Sequence, residues 1–96
     1  MAVYYVYIMA SKTGTLYVGS TGDLGHRVKQ HKKKEVEGFA KKYDVDRLIY
    51  FEEVGDESVA IRRERQIKAW RREKKVDLVN TMNPGWCDLS EGGEDG

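Results

Sequence analysis

Five side chains in this sequence are of types that perform chemistry, at spacings that a small fold could bring together. Tyr7 and Tyr17 lie ten residues apart in apolar segments. Arg27 and His31 lie one helical turn apart, and Glu64 follows in a later segment. A phenol or an imidazole can move a proton, a guanidinium offers a fork of donors that fits a phosphate, and a carboxylate binds hard cations. The set points to chemistry at a phosphate.

Glu64 lies on the apolar side of its helix. With each residue advancing about 100° around a helix, the position of Glu64 falls within the stripe formed by Ala60, Ile61, Ile67 and Trp70. A carboxylate that points toward an apolar layer is costly unless a cation compensates its charge. From the spacing alone, two interpretations stay open: an ion pair with one of the nearby arginines, or a metal ligand at the floor of a cleft.

An earlier helix carries two polar residues beside its apolar side. Leu24 and Val28 mark that side, and Arg27 and His31 fall next to it or within it. Either polar residue could be a core side chain that carboxylates or carbonyls satisfy. Alternatively, the guanidinium of Arg27 would clamp a scissile phosphodiester.

Two apolar runs near the N-terminus predict an antiparallel hairpin. Residues 3–10 and 15–18 are separated by a loop that contains glycine. Alternation places Tyr7 and Tyr17 on one face, close to opposite each other. We expect residues 19–22 to stop the second strand, and Gly19 to mark a point where a backbone or a ligand comes close.

The remaining pattern predicts a small α+β fold. A helix capped by Thr21 or Asp23 runs to about residue 31, and residues 47–54 form a third strand. A helix capped by Asp56 or Ser58 runs to about residue 74, and a shorter helix covers residues 76–82. The order β-β-α-β-α-α indicates a three-stranded, mainly antiparallel sheet flanked by helices. We expect one domain over residues 1–89 and a disordered acidic tail over residues 90–96.

Length and composition exclude several classes of protein. The chain has 96 residues, with 17 basic and 16 acidic residues, one cysteine and two histidines. The length suits a single domain. The cysteine count excludes a disulfide framework and a conventional Cys/His zinc cage, which favours the cytoplasm. The N-terminal apolar run is too short to span a bilayer and lacks a basic leader, so we expect no membrane partner.

The ordered set of signature residues resembles the GIY-YIG nuclease superfamily. The two signature segments and the residues that follow them are Tyr5-Val6-Tyr7, Tyr17-Val18-Gly19, Arg27, His31, Glu64 and Asn80. The resemblance covers residues 3–82 and is greatest to small stand-alone bacterial members. Tyr5 stands where the family has glycine and Val6 where it has isoleucine. The departure at Tyr5 concerns the local shape of the site, and the tyrosine at position 7 is retained.

The resemblance implies an activity and a cofactor. Members cut phosphodiester bonds in DNA with one divalent cation, usually Mg²⁺ and in some cases Mn²⁺, which here would be held by Glu64. Arg27 would neutralise charge that develops on the phosphorane oxygens.

The resemblance also implies roles for the other signature residues. Tyr7 or Tyr17 would orient or deprotonate the attacking water, and the sequence does not decide between them. Because an ordinary phenol has a pKa of about 10, we expect Arg27, His31 or the metal to lower that pKa or to share the proton. His31 would shuttle the proton, and Asn80 would brace the site by hydrogen bonding.

Two basic runs would contact the backbone of the nucleic acid. The candidate residues are Lys29, Lys32, Lys33, Arg62, Arg63, Arg65, Arg71 and Arg72. Each phosphate contact would release counterions, so affinity should fall steeply with salt. Any one of these residues could instead lie on an ordinary solvated helix face.

Together these expectations describe a metal-dependent endonuclease or nickase that acts on DNA, in repair or processing, with low sequence specificity. Low specificity is expected because no base-reading module remains in the chain. One alternative is a noncatalytic nucleic-acid-binding module on the same fold, and a weaker one is a protein-interaction domain that uses the acidic tail. The residues do not decide whether RNA is also cut, whether one or both strands break, or the oligomeric state.

Overall fold

A computed structural model of the chain describes residues 2–35, 38 and 42–91. Its elements, in chain order, are β1 (Tyr4–Ala10), β2 (Leu16–Thr21), α1 (Leu24–Lys32), β3 (Arg47–Val54), α2 (Glu57–Lys68) and α3 (Arg72–Asn80). Aspartates cap two of the helices, since the Asp23 side chain accepts from the His26 amide and that of Asp56 from the Ser58 amide. The α+β class and the predicted element order are confirmed.

The three strands form one antiparallel sheet in the order β2-β1-β3. Because successive side chains of a strand point to opposite faces, the continuous apolar run of β1 supplies two core layers. On one face, α2 and α3 pack against a layer that includes Val6, Ile8, Ala60, Ile67 and Val79. On the other face, α1 packs against a layer that includes Tyr7, Met9, Val28, Tyr17 and Phe51. The candidate site residues are therefore carried on both sides of a thin sheet.

The second strand is longer than predicted. Residues 19–21 continue β2, with Gly19 paired with Tyr7 and Thr21 with Tyr5. The expectation that residues 19–22 would stop the strand is wrong, because a glycine inside a strand can accommodate a large neighbouring side chain as well as end the strand. The extra length carries Gly19 and Ser20 along β1 into the candidate site.

The long helix breaks earlier than predicted. It ends at Lys68 rather than near residue 74, and Arg71 has an extended backbone before α3 begins. The break contains Trp70, which packs against the core while the ammonium of Lys74 lies 4.4 Å from its ring centroid. Ile61, expected in the buried stripe, is 38% exposed.

None of the described helices has the length and apolar character needed to cross a membrane.

The segment that follows α3 returns to β3. The Leu89 amide donates to the Leu48 carbonyl at 2.7 Å, and the Asp88 carboxylate accepts from the Leu48 amide at 3.3 Å. Of the predicted tail, Ser90 is held by its hydroxyl, which donates to Asp88 at 2.6 Å. Residues 92–96 of that tail lie outside the described residues.

Candidate active site

Tyr7 lies at the centre of the candidate site, on the middle strand, and is 1% exposed. It pairs with Gly19 across the β1–β2 ladder. A Cβ atom built on Gly19 would lie 2.5 Å from the Tyr7 hydroxyl oxygen and 2.7 Å from Cζ of the same ring. The phenol therefore lies across β2 at the point where β2 has no side chain. The group that comes close to Gly19 belongs to the protein itself.

Tyr17 and His31 lie against the Tyr7 ring. The ring centroids of Tyr7 and Tyr17 are 6.3 Å apart, those of Tyr7 and His31 5.8 Å, and those of Tyr17 and His31 5.1 Å. Tyr17 pairs directly with Met9. The two tyrosines are therefore diagonal neighbours on the same face, close to opposite each other as predicted. Three aromatic rings form one cluster on the α1 side of the sheet.

His31 contacts the Tyr7 hydroxyl through a ring nitrogen. The distance from Nε2 to the Tyr7 Oη is 3.3 Å, and the histidine is 4% exposed. Its Nδ1 has no hydrogen-bond partner among the described residues. Burial, assisted by the positive charge of Arg27, lowers the pKa of His31 to about 4. The imidazole is therefore neutral at neutral pH and retains the capacity to accept a proton.

Burial also governs the ionisation of Tyr7. Burial raises the pKa of Tyr7 far above that of an ordinary phenol, and neighbouring Tyr17 and the charge of Glu64 raise it further, while Arg27 opposes the increase. The expectation that the surroundings lower the pKa of a site phenol is wrong for Tyr7. The Tyr7 hydroxyl stays protonated at neutral pH. It can therefore donate its proton only if it accepts another proton in the same step.

Arg27 places a positive charge beside this cluster. It lies on α1 between Leu24 and Val28 and is half-buried. Its guanidinium has no hydrogen bond or ion pair with any described residue. Its charge acts on the pKa values of both Tyr7 and His31. Because no carboxylate neutralises it within the described chain, this guanidinium is available to an anionic ligand.

Glu64 has a partner on each carboxylate oxygen. The Ser20 hydroxyl donates to Oε1 at 2.5 Å, and the Lys68 ammonium lies 2.6 Å from Oε2. The Glu64 side chain is 18% exposed, so it lies at the rim of the apolar layer and is not sealed behind it. Of the two interpretations of Glu64, the ion pair exists, but its partner is Lys68 rather than an arginine.

The site residues meet around β2, which is an edge strand. Ser20 and Glu64 lie on the side covered by α2, whereas Tyr7, Tyr17 and His31 lie on the side covered by α1. The charge of Glu64 contributes to the raised pKa of Tyr7, so the two side chains are within electrostatic reach of each other. The structure thus brings Tyr7, Tyr17, Gly19, Arg27, His31 and Glu64 together around one strand.

The donor set suits a cation that keeps most of its own water. Within residues 2–35, 38 and 42–91, no group of three or more His, Cys, Asp or Glu side chains could hold a metal. Glu64 is a lone carboxylate at a rim, and its Oε2 already accepts a cation in the form of an ammonium. Mg²⁺ commonly binds through one or two carboxylates and several waters. The residues present therefore fit Mg²⁺ or Mn²⁺ held by Glu64.

The eight candidate phosphate-binding residues fall into two groups. Three have intramolecular partners: Lys32 with Asp88 at 2.6 Å, Arg63 with Glu52 at 2.7 Å, and Arg72 with the Gly14 carbonyl at 2.7 Å. The other five are exposed and make no ion pair with a described residue: Lys29, Lys33, Arg62, Arg65 and Arg71. The second group therefore presents positive charges that no described residue neutralises.

Asn80 does not join the other site residues. It is exposed at the end of α3, and its side-chain oxygen accepts from the Trp86 indole at 3.4 Å. The buried asparagine is Asn83, whose amide nitrogen donates to the carbonyls of Ile49 at 3.1 Å and Cys87 at 2.8 Å. The prediction that Asn80 braces the site has no support among the described contacts, and the asparagine that braces the fold is Asn83.

Tyr5, the departure from the family pattern, lies beside the aromatic cluster. Its ring packs edge-on against Phe51, with centroids 6.3 Å apart. Both rings line an open cavity of about 740 Å³ next to α1, with Leu24, Val28 and Leu89 in its wall. The Tyr5 ring, which is larger than the glycine of the family pattern, is thus accommodated by packing against Phe51 of β3.

Two residues at the site, Ser20 and Lys68, were not predicted from the sequence. Ser20 lies next to Gly19 in a segment that was expected to be a turn, and its partner Glu64 is 44 residues away. Lys68 stands four residues after Glu64, a spacing that pairs side chains on a helix. That spacing was a usable signal for Lys68, whereas no local pattern identified Ser20.

The chain is similar to proteins of a known family. The family model described as the GIY-YIG catalytic domain matches residues 3–77. A UPF0213 protein of Haloquadratum walsbyi is 36% identical over 76 residues, which cover 79% of this chain and 85% of that protein. A UPF0213 protein of Staphylococcus saprophyticus is 32% identical over 80 residues, covering 83% of this chain and 98% of that protein. The solution NMR structure of a UPF0213 protein from Bacillus halodurans has a TM-score of 0.59 and 26% identity, covering 95% of this chain and 97% of that one.

Proposed function

Because the chain belongs to the GIY-YIG catalytic domain family, we propose that it is a metal-dependent endonuclease or nickase that hydrolyses DNA with low sequence specificity. The observation that carries this proposal is the 3.3 Å contact between the Tyr7 hydroxyl and the neutral imidazole of His31, beside the guanidinium of Arg27, which makes no ion pair with a described residue. Membership of the family supports nuclease chemistry on a nucleic acid. The choice of DNA and a role in its repair or processing belong to the proposal.

The tyrosines and the histidine would handle the proton of the attacking water. Tyr17 is half-buried and Tyr7 fully buried, so we assign the orientation of the water to Tyr17 and the internal relay to Tyr7. His31 is neutral above about pH 4 and would accept the relayed proton at Nε2. In this step the water oxygen bonds to phosphorus while the bond from phosphorus to the leaving oxygen breaks.

Arg27 would bind the non-bridging oxygens, on which negative charge develops during this step. A divalent cation held by Glu64 would, when bound, supply Lewis-acid stabilisation of the reacting phosphate. Ser20 would hold Glu64 in place through its 2.5 Å hydrogen bond. The protein thus contributes one fixed positive charge, one oriented carboxylate and one route for a proton.

The five exposed cations that make no ion pair with a described residue would supply contacts to the nucleic-acid backbone. Such contacts carry no sequence information, which agrees with low specificity. Each released counterion makes affinity fall with salt, so binding should be strong only at low ionic strength.

A plasmid-nicking assay tests this function. Supercoiled DNA is incubated with the chain at low salt in Mg²⁺ and, separately, in Mn²⁺. We expect nicking by the natural sequence and a loss of about 100-fold or more for Glu64→Gln and for Arg27→Gln, the range measured for comparable transition-state donors. Glu57→Gln makes the same charge change at an exposed position in the first turn of α2 and should keep the full rate.

Equal rates for the natural sequence and Glu64→Gln would disprove the proposal. Parallel reactions on single-stranded DNA and on RNA determine the substrate class. A noncatalytic nucleic-acid-binding module is the second candidate, and one observation favours it: both oxygens of Glu64 already have partners. Salt-sensitive binding that survives Glu64→Gln, with no cleavage in either cation, would select that candidate.

A further inference from the structure

The carboxylate of Glu64 is held by two donors of different kinds. Ser20 is a neutral hydroxyl on β2 and donates to Oε1 at 2.5 Å. Lys68 is an ammonium one turn further along α2 and lies 2.6 Å from Oε2. Ser20 can remain in place when a cation binds Oε2, because the two partners use different oxygens. A divalent cation on Oε2 would repel the Lys68 ammonium, because the two positive charges would lie only a few ångströms apart.

The Lys68 side chain is more exposed to solvent than the Glu64 carboxylate that it contacts. Its side chain is 51% exposed, against 18% for Glu64. Because the ammonium end of this pair is exposed to solvent, it can leave the carboxylate more readily than a buried cation could. The ammonium therefore contacts Oε2 but leaves this oxygen accessible from solvent.

We propose that Lys68 acts as a built-in competitor for the cation site on Glu64, so that a divalent ion binds only by displacing its ammonium. The inference rests on the proposed function, in which Glu64 is the cation ligand. In this account, Lys68 sets the concentration of divalent ion that is needed to occupy the site on Glu64. Lys68 is a positioning residue in this account, since it acts through the carboxylate of Glu64.

The test measures Mn²⁺ binding to the full chain without nucleic acid, by the loss of the free Mn²⁺ electron paramagnetic resonance signal. The variants are Lys68→Gln, Lys12→Gln and Glu64→Gln, together with the two double variants that combine Glu64→Gln with each lysine change. The difference between a chain and its Glu64→Gln counterpart isolates binding at this carboxylate. We expect Lys68→Gln to tighten that component about two- to fivefold, the range set by the strength of exposed ion pairs. Lys12→Gln changes the net charge equally at an exposed residue with no ion pair to a described residue, and should leave the component unchanged.

Tightening in Lys68→Gln but not in Lys12→Gln supports the proposal. Equal binding in these two variants, or weaker binding in Lys68→Gln, overturns it. A second readout follows the ¹⁵N resonance of the Lys68 ammonium, which should move on titration with Mg²⁺ in the natural sequence and stay fixed in Glu64→Gln. A resonance that does not move in either chain also overturns it.

These readouts are separate from cleavage. A chain that binds Mn²⁺ as expected and cuts no nucleic acid would disprove the proposed function and leave the competition intact. Binding that is identical in the natural sequence and Glu64→Gln would remove Glu64 as the ligand, and with it both the competition and the proposed metal assignment.

Discussion

The hydroxyl of Tyr7 lies against the backbone of Gly19, so close that a Cβ atom at position 19 would stand 2.5 Å from the phenol oxygen. Gly19→Ala should therefore force the Tyr7 ring out of its present position, in which its hydroxyl contacts His31. We expect a stability loss of about 1–3 kcal/mol from the crowding and a loss of about 100-fold in nicking rate, because small displacements of a reacting group are costly. Denaturant unfolding and plasmid nicking measure the two effects.

Gly55→Ala is the control for this substitution, since a Cβ atom at Gly55 would meet nothing within 4 Å. Gly55→Ala should change the nicking rate and the free energy of unfolding much less than Gly19→Ala does. A Gly19→Ala chain with the natural nicking rate would show that the contact between Tyr7 and Gly19 has no part in positioning the phenol.

The lowered pKa of His31 makes stability depend on pH. An unfolded histidine has a pKa of about 6.5, whereas folding lowers that of His31 to about 4. Between these values the unfolded chain binds more protons, so the contribution of His31 is complete above about pH 6.5 and is lost as the pH falls toward 4. We expect a loss of about 3 kcal/mol over this interval, measured as the free energy of unfolding at several pH values.

His31→Phe should remove this part of the pH dependence, and His26→Gln, at an exposed position on the same helix, should retain it. If His31→Phe and the natural sequence lose stability in parallel between pH 6.5 and 4, the imidazole is not held in its neutral form by burial.

Arg62 and Arg63 are neighbours with different surroundings. Arg63 pairs with Glu52 at 2.7 Å, whereas Arg62 is exposed and has no ion pair with a described residue. Arg63→Gln should cost about 1–2 kcal/mol of stability, because it leaves a partly buried carboxylate without its partner. Arg62→Gln should keep the stability and weaken DNA binding, with the slope of log affinity against log salt reduced by about 0.9.

Fluorescence anisotropy at several salt concentrations and denaturant unfolding separate these two effects. A larger change in salt slope for Arg63→Gln than for Arg62→Gln would reverse the assignment of the two arginines.

Asn83 and Asn80 provide a second matched pair. Asn83 is 6% exposed and makes hydrogen bonds to Ile49 and Cys87. Asn83→Ala should cost about 2–4 kcal/mol, because it leaves buried carbonyl and amide groups unpaired. Asn80→Ala should lie within about 0.5 kcal/mol of the natural sequence, as is usual for exposed positions, and should keep the nicking rate. A strong loss of nicking in Asn80→Ala would place that residue at the site after all.

Most of the fold was predictable because its signals are local. The bounds of β3 follow directly from its apolar run, and Asp23 and Asp56 cap α1 and α2 as their sequence positions indicate. The end of α2 at Lys68 was not predictable from such signals. No glycine or proline stands at the break, and Trp70 is held there by packing that only the tertiary structure supplies.

The site was predictable to the extent that its residues carry a family pattern. The contact of Tyr7 with His31 and the position of Glu64 at the rim of the apolar layer agree with the spacing arguments. The direction of the Tyr7 pKa shift was not predictable, because it depends on how deeply the ring is buried. Ser20 was not predictable either, since a strand residue gives no sign of a partner on a distant helix.

The two helices that carry Arg27 and Glu64 cover opposite faces of the sheet. A nascent or partly unfolded chain that has docked only one of them would hold the guanidinium or the carboxylate, but never both beside the same phosphate. If this protein cuts nucleic acid, that capacity would arise only when folding is complete and would vanish with the first helix to detach. Damage to the genome by incompletely folded copies would thereby be avoided without a separate inhibitor.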